Sequence, residues 1–215
     1  MPQTIAVTKA ITNLNDAHAA FHLMPASEPD FFAEWQGEFP ALSEPEMRLL
    51  DRLKARYRYY QTDGSITEGT VNLILLSPLL DLLGWCDPPY KVRGEKFVKI
   101  EIEDGDRILE GLIDALVVQQ AFWVVVIESK RYGFSVMQAL PQTLAYMMSN
   151  PDAASKMFGC ITTGEDYLFV KLDRQSGLYD VSDKFTLSTR QGNELYTVVQ
   201  VLKHLTRNLT VEETS

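Results

Sequence analysis

The chain has 215 residues, 46% apolar and 23% charged, the balance of a globular protein with a sizeable core rather than of a disordered chain. Its formal net charge of −9 argues against a protein that coats nucleic acid by bulk charge. It leaves room for a carboxylate cluster neutralised by a bound cation, and for a local basic face.

No basic region followed by an apolar core opens the sequence. The most apolar helical stretch, 71–83, contains Ser77, Pro78 and Asp81, too polar and too short for a bilayer. The expectation is a soluble, cytoplasmic chain. Cys86 and Cys160 sit far apart beside apolar residues, as buried free thiols of a reducing cytosol would. With the three His they offer no zinc-type spacing, and His18 and His22, at i and i+4, read as incidental.

In chain order, residues 1–44 are weakly patterned and read as an N-terminal extension, with Phe31, Phe32, Trp35 and Phe39 packing on the main body. Residues 45–215 read as one domain. A helix is expected over 45–60, capped near Ser43 or Glu44, with Leu49, Leu50, Leu53 and Tyr57 inside. A second starts at Ser65, where Ser65-Ile66-Thr67-Glu68 matches a capping box, and buries Leu73, Leu76, Leu79, Leu80 and Leu83. Strands follow over 97–103, 108–118 and 122–129, the first two joined by an Asp104-Gly105 hairpin turn. The β-branched run Val124-Val125-Val126-Ile127 predicts a strand buried on both faces. A helix over 135–149 contains Pro141, which kinks it or marks its true start. Strands at 158–163, 167–172 and 179–187 and a closing amphipathic helix at 193–208 complete an α/β arrangement, a central mixed β-sheet flanked by helices.

Glu128-Ser129-Lys130 ends the most convincing strand. Residues i and i+2 of a strand share a face, so a carboxylate and an ammonium emerge together where a buried strand runs out. Asp114 sits in the preceding strand, flanked by Ile113 and Leu116. The two strands should form an antiparallel hairpin. Asp114 and Glu128 share a face only if paired positions sum to an even number. Pairing about residue 121 sets them directly opposite, and pairing about residue 120 diagonally opposite. Hard oxygen ligands without nearby His or Cys suit Mg²⁺ or Mn²⁺. Gln142 and Tyr146 stand one turn apart in the next helix, and Gln138 joins that face if the helix is continuous through Pro141.

Asp114, Glu128-Ser129-Lys130 and Gln142-Thr143-Leu144-Ala145-Tyr146 together resemble the PD-(D/E)XK nuclease superfamily. The resemblance is closest to its branch with a Q-x-x-x-Y motif, which includes RecB-type nucleases and the N-terminal nuclease domain of type I restriction motor subunits. It covers roughly residues 65–172 and implies a restriction-endonuclease-like core and a divalent-metal-dependent nuclease acting on DNA, leaving 5′-phosphate products. In that likeness Asp114, Glu128 and the Ser129 carbonyl bind metal, Lys130 activates or positions water, and Gln142 and Tyr146 position the site or contact phosphate. Glu68 matches an acidic residue that many members add to the metal site. The chain departs from the pattern at Gly111 and Ile113, where Pro often precedes the Asp. It holds no G-x-x-x-x-G-K-[ST] phosphate loop, so no ATP-driven motor is implied.

Plainer readings stand beside these. Glu68 could serve the capping box with Ser65, Tyr146 the core edge, Gln138 and Glu95 the solvated surface. Arg48, Arg52, Lys54, Arg56 and Arg58, interleaved with Tyr57, Tyr59 and Tyr60, form the one basic cluster. Arg52, Arg56 and Arg58 are its candidate DNA contacts, against a solvated face paired with Glu44, Glu46 and Asp51. The expected partner is DNA. A homodimer or a partner subunit is left open, and the alternative function is a non-catalytic module of the same fold that binds nucleic acid or a protein.

Overall fold

A computed structural model describes residues 3–64, 66–88, 90, 92–93, 96–101, 107–113, 115–118, 122–126, 135–149 and 155–212. Its elements are β1 (Gln3–Ala6), α1 (Val7–Ala10), α2 (Leu14–Phe21), β2 (Met24–Pro25), a 3₁₀ turn (Ala33–Trp35), α3 (Glu44–Gln61) and α4 (Glu68–Val71). A π-helical segment (Asn72–Leu76) runs into α5 (Ser77–Leu82). Then come β3 (Val92–Arg93), β4 (Lys96–Glu101), β5 (Arg107–Ile113), β6 (Ala115–Val118), β7 (Phe122–Val126) and a second 3₁₀ turn (Val136–Ala139). The rest are α6 (Leu140–Met148), β8 (Lys156–Thr162), β9 (Asp166–Asp173), β10 (Leu178–Val181), β11 (Phe185–Thr186) and α7 (Leu195–Glu212).

The main sheet runs β2–β10–β9–β8–β7–β6–β3, with β11 also on β9. It is mixed: β7 and β8 are parallel, as are β2 and β10, and the other pairs are antiparallel. A smaller sheet, β1–β5–β4, pairs β1 parallel and β4 antiparallel to β5. The N-terminal residues thus add a strand to each sheet.

Helices cover both faces of the main sheet, and β8 and β9 are apolar on both, as a central strand must be. Phe158, Cys160, Tyr167 and Phe169 pack with α3, the helix from Glu68 to Leu82, and α7. Their strand neighbours Met157, Ile161, Leu168 and Val170 pack on the opposite side with α1, α2 and α6. The predicted inner face of the last helix, Leu195, Val198, Val199, Leu202 and Leu205, is buried. Ser43 starts α3, its N–H donating to the Glu46 carboxylate at 2.7 Å. Glu46 also accepts from Lys203 of α7. Hydrogen bonding from Lys203, then from Ser43, holds the Glu46 carboxyl down to about 2. On β9, buried Lys171 donates to the Phe31 carbonyl and the Glu34 carboxylate, which fixes the Phe31–Trp35 segment against the sheet.

Several expectations are corrected. The stretch 108–118 is not one strand: Ile113 pairs with Lys96 in the small sheet and Ala115 with Val125 in the main sheet. Which strand each half pairs with is a non-local choice that periodicity does not encode. The region 179–187 likewise forms two short strands on β9. The second helix begins at Glu68, not Ser65, because Thr67 is its cap and accepts from the Thr70 N–H at 3.3 Å. Leu73 is 71% exposed rather than buried, since the π-helical winding breaks the 3.6-residue phase. Cys86 is exposed; Cys160 is buried, and burial pushes its thiol up to about 12. Pro141 marks the true start of α6, so Gln138 lies in the preceding 3₁₀ turn and not on a continuous α-helical face with Gln142. As expected, Phe31, Phe32, Trp35 and Phe39 pack on the main body, around a 3₁₀ turn and with Phe32 fully buried. Among the described residues no helix is long and apolar enough to cross a membrane.

Candidate functional site at one edge of the sheet

Asp114, Glu128, Ser129 and Lys130 lie outside the described residues, as do Asp104-Gly105 and Glu95. The elements on either side of them are described and define an edge. The hairpin register is Ala115↔Val125, Leu116↔Val124 and Val117↔Trp123, so β6 and β7 pair about residue 120. That is one of the two even-sum registers in which β6 and β7 positions of equal parity face the same way. The first residue of β6 and the last of β7 meet at the same end of the hairpin. The parallel partner β8 ends there too, with Val126 beside Thr162.

The turn after β8 is tightly built. Thr162 Oγ1 accepts from the Gly164 N–H at 2.9 Å, and Thr163 Oγ1 from the Asp166 N–H at 3.2 Å. Gly164 has φ +86°, and a β-carbon there would lie 2.8 Å from Val71 Cγ1 and 3.2 Å from Tyr57 Cε2. The first turn of the helix carrying Glu68 is therefore seated directly on this sheet edge. The end of α3 reaches the same place, Gln61 donating to Glu165 at 3.4 Å. Tyr57 is buried between them, and burial, then the charges of Glu165 and Asp166, raise its phenol well above the ordinary range. Sequence patterning singles out neither Gly164 nor Val71. Gly164-Glu165-Asp166 reads there only as a turn between two strands.

Glu68 is half-buried and occupies the first helical position, where an acid is also favoured by the helix dipole. Ser65, its partner in the expected capping box, lies outside the described residues. On the other face, the Met148 carbonyl at the end of α6 accepts from Arg174, which follows the β9 residue paired with Lys156. The helix therefore runs back along the sheet, its C-terminus near the start of β8 and its N-terminal turn toward the end of β7. Gln142, in that first turn, is half-buried. Tyr146, one turn deeper, is 4% exposed within the core cluster of α1, α2 and α6. That depth suits positioning better than contact with substrate.

The basic cluster on α3 divides. Buried Lys54 donates to the Thr189 and Gly192 carbonyls, each at 2.8 Å. Desolvation, then the Arg58 charge, lowers its pKa. Arg56 donates to the Ile74 carbonyl at 3.2 Å. Pro78, four residues on from Ile74, has no N–H to offer it. Arg58 donates to Thr189 at 2.9 Å, Arg48 pairs with Glu44, and Arg52 is exposed. His18 bonds the Tyr179 hydroxyl at 2.9 Å and His22 ends α2 with φ +53°, local structural roles for both. Among the described residues no three His, Cys, Asp or Glu side chains converge as a metal site would require. No protein-family model and no curated protein sequence matches this chain.

Proposed function

We propose that the protein is a divalent-metal-dependent nuclease that hydrolyses DNA phosphodiester bonds, built on a restriction-endonuclease-like core. The observation that carries this reading is the shared edge. Asp114 directly precedes Ala115, the first residue of β6, only Ile127 stands in sequence between Glu128 and Val126, the last residue of β7, and Ala115 pairs with Val125 in one hairpin. The parallel β7–α6–β8 crossover and the helix before the sheet also follow the motif order of the resemblance.

The donor set fits a hard cation: the carboxylates of Asp114 and Glu128 and the Ser129 carbonyl, with Glu68 at the neighbouring helix start, are all oxygen. Bound there, Mg²⁺ or Mn²⁺ would polarise the scissile phosphate and acidify water. Lys130 orients the attacking water and offsets charge gathering on the phosphoryl oxygens. The water oxygen forms the new bond to phosphorus as the bond to the 3′ oxygen breaks. The proton released from water balances the one taken up by the departing 3′ oxygen, which leaves a 5′-phosphate and a 3′-hydroxyl. Gln142 holds the first turn of α6 against this centre, and Tyr146 anchors that helix from within the core.

The test is cleavage of supercoiled plasmid. Nicked and linear products should form with Mg²⁺ or Mn²⁺ and cease with chelator. The rate should fall by roughly 100-fold or more in Lys130→Ala. Cleavage that persists undiminished in Lys130→Ala defeats the proposal. A chain that binds DNA and cuts none of it is the non-catalytic module instead.

A further inference from the structure

We infer that the solvent face of α3 is a binding platform for single-stranded nucleic acid, with Tyr59 and Tyr60 stacking unpaired bases and Arg52 at the centre of a phosphate track. This names the substrate form of the proposed nuclease and rests on that reading for its placement, though not for its test.

At about 100° per residue, Arg48, Arg52 and Tyr59 fall within about 40° of one another around α3, and Arg56 and Tyr60 widen the stripe to about 120°. Leu50, Leu53 and Tyr57 occupy the opposite, buried side. Two large aromatic rings stand in solvent at the end of the stripe, Tyr59 at 71% and Tyr60 at 41% exposure. They meet edge to face, centroids 5.8 Å apart and planes at 84°. That contact orders the pair while leaving ring faces open. Core packing does not require either ring.

The charge on this face is cationic although the whole chain is acidic. Glu44 is paired with Arg48. Asp51 is turned aside, accepting from Asn193 at 3.1 Å and from Tyr196 at 2.8 Å. Arg52 is exposed, and Arg56 retains guanidinium donors beyond the one given to Ile74. Successive arginines rise about 6 Å along the helix, and the stripe from Arg48 to Tyr60 is about 18 Å long, room for a few nucleotides of extended strand. A duplex keeps its bases stacked on one another, so exposed phenol faces reward only unpaired ones. The stripe ends beside the proposed site: Gln61, next to Tyr60, touches Glu165 in the turn after β8. A strand lying along α3 would be delivered to that edge.

Fluorescence anisotropy of a labelled dT 12-mer, in chelator and low salt so that nothing is cleaved, tests this on the full chain. The dT probe should bind more tightly than a blunt 12-base-pair duplex. Tyr59→Ala and Tyr60→Ala should each weaken it by about 5- to 100-fold, and Tyr59→Phe should bind like the parent. Arg52→Ala should reduce the slope of log affinity against log salt by about 0.7. These side chains are exposed, so unchanged melting temperatures exclude unfolding as the cause. Equal affinity for duplex, no dT binding, or dT binding indifferent to both tyrosine replacements overturns the inference. Plasmid cleavage with unaffected dT binding would sink this inference alone; dT binding that needs the tyrosines, without any cleavage, would sink the nuclease reading alone.

Discussion

Gly164 is a single residue on which the placement of the candidate site turns. Its φ of +86° disfavours any side chain, and the space a β-carbon would fill belongs to Val71 and Tyr57. Val71 is buried and β-branched, so it has little freedom to yield. Gly164→Ala should therefore cost about 2–4 kcal/mol in urea unfolding, from backbone strain and overpacking together. A loss under about 0.5 kcal/mol would mean that the Glu68 helix is not seated on the turn after β8. Other single-residue facts were partly legible. The start of α3 near Ser43 or Glu44 is legible in sequence, because capping is a local interaction, and the structure selects Ser43. The cap at Thr67 does not announce itself: Ser65 and Thr67 both suit the role, and only the path of the chain selects between them. Tyr146 shows the same limit, since a Q-x-x-x-Y spacing fixes one helix face but not how deep that face is buried.

At the scale of elements, the helix from Glu68 to Leu82 departs most from its sequence pattern. Read with a 3.6-residue period, Leu73 and Leu76 share a buried stripe. The π-helical segment loosens the winding between them, and the Ser77 hydroxyl donates to the Asn72 carbonyl at 2.9 Å. Leu73 is turned out to solvent while Leu76 is 3% exposed. Leu76→Ala should cost about 2–5 kcal/mol, whereas Leu73→Ser should stay within about 0.5 kcal/mol of the parent. Comparable losses from the two in thermal or urea melts would restore the regular helix. The strands were more legible than this helix, since β8 and β9 read as largely apolar stretches with a Gly-containing turn between them. What periodicity hid was the change of sheet between Ile113 and Ala115, because partner choice in a sheet is made by distant residues.

At the scale of the molecule, the mixed sheet between two helical layers was legible from element order and apolar faces alone. The small β1–β5–β4 sheet was not, because β1 pairs with residues about a hundred positions away and has no strong alternation of its own. The candidate site was legible as a set of positions rather than as a shape. Asp114, Glu128 and Lys130 attract attention because charge in apolar strands is costly without a purpose. The edge shared by the described strand ends on either side of them follows only from the β6–β7 register, the parallel β8, and the helix held at Gly164.

Calorimetric titration of Mn²⁺ into the full chain tests most directly whether those carboxylates form one cation centre. A single saturable site should appear at millimolar ion or below, vanish in Asp114→Asn and in Glu128→Gln, and survive in Lys130→Ala. Absence of Mn²⁺ binding in the parent chain, or binding left intact by both carboxylate replacements, contradicts the account.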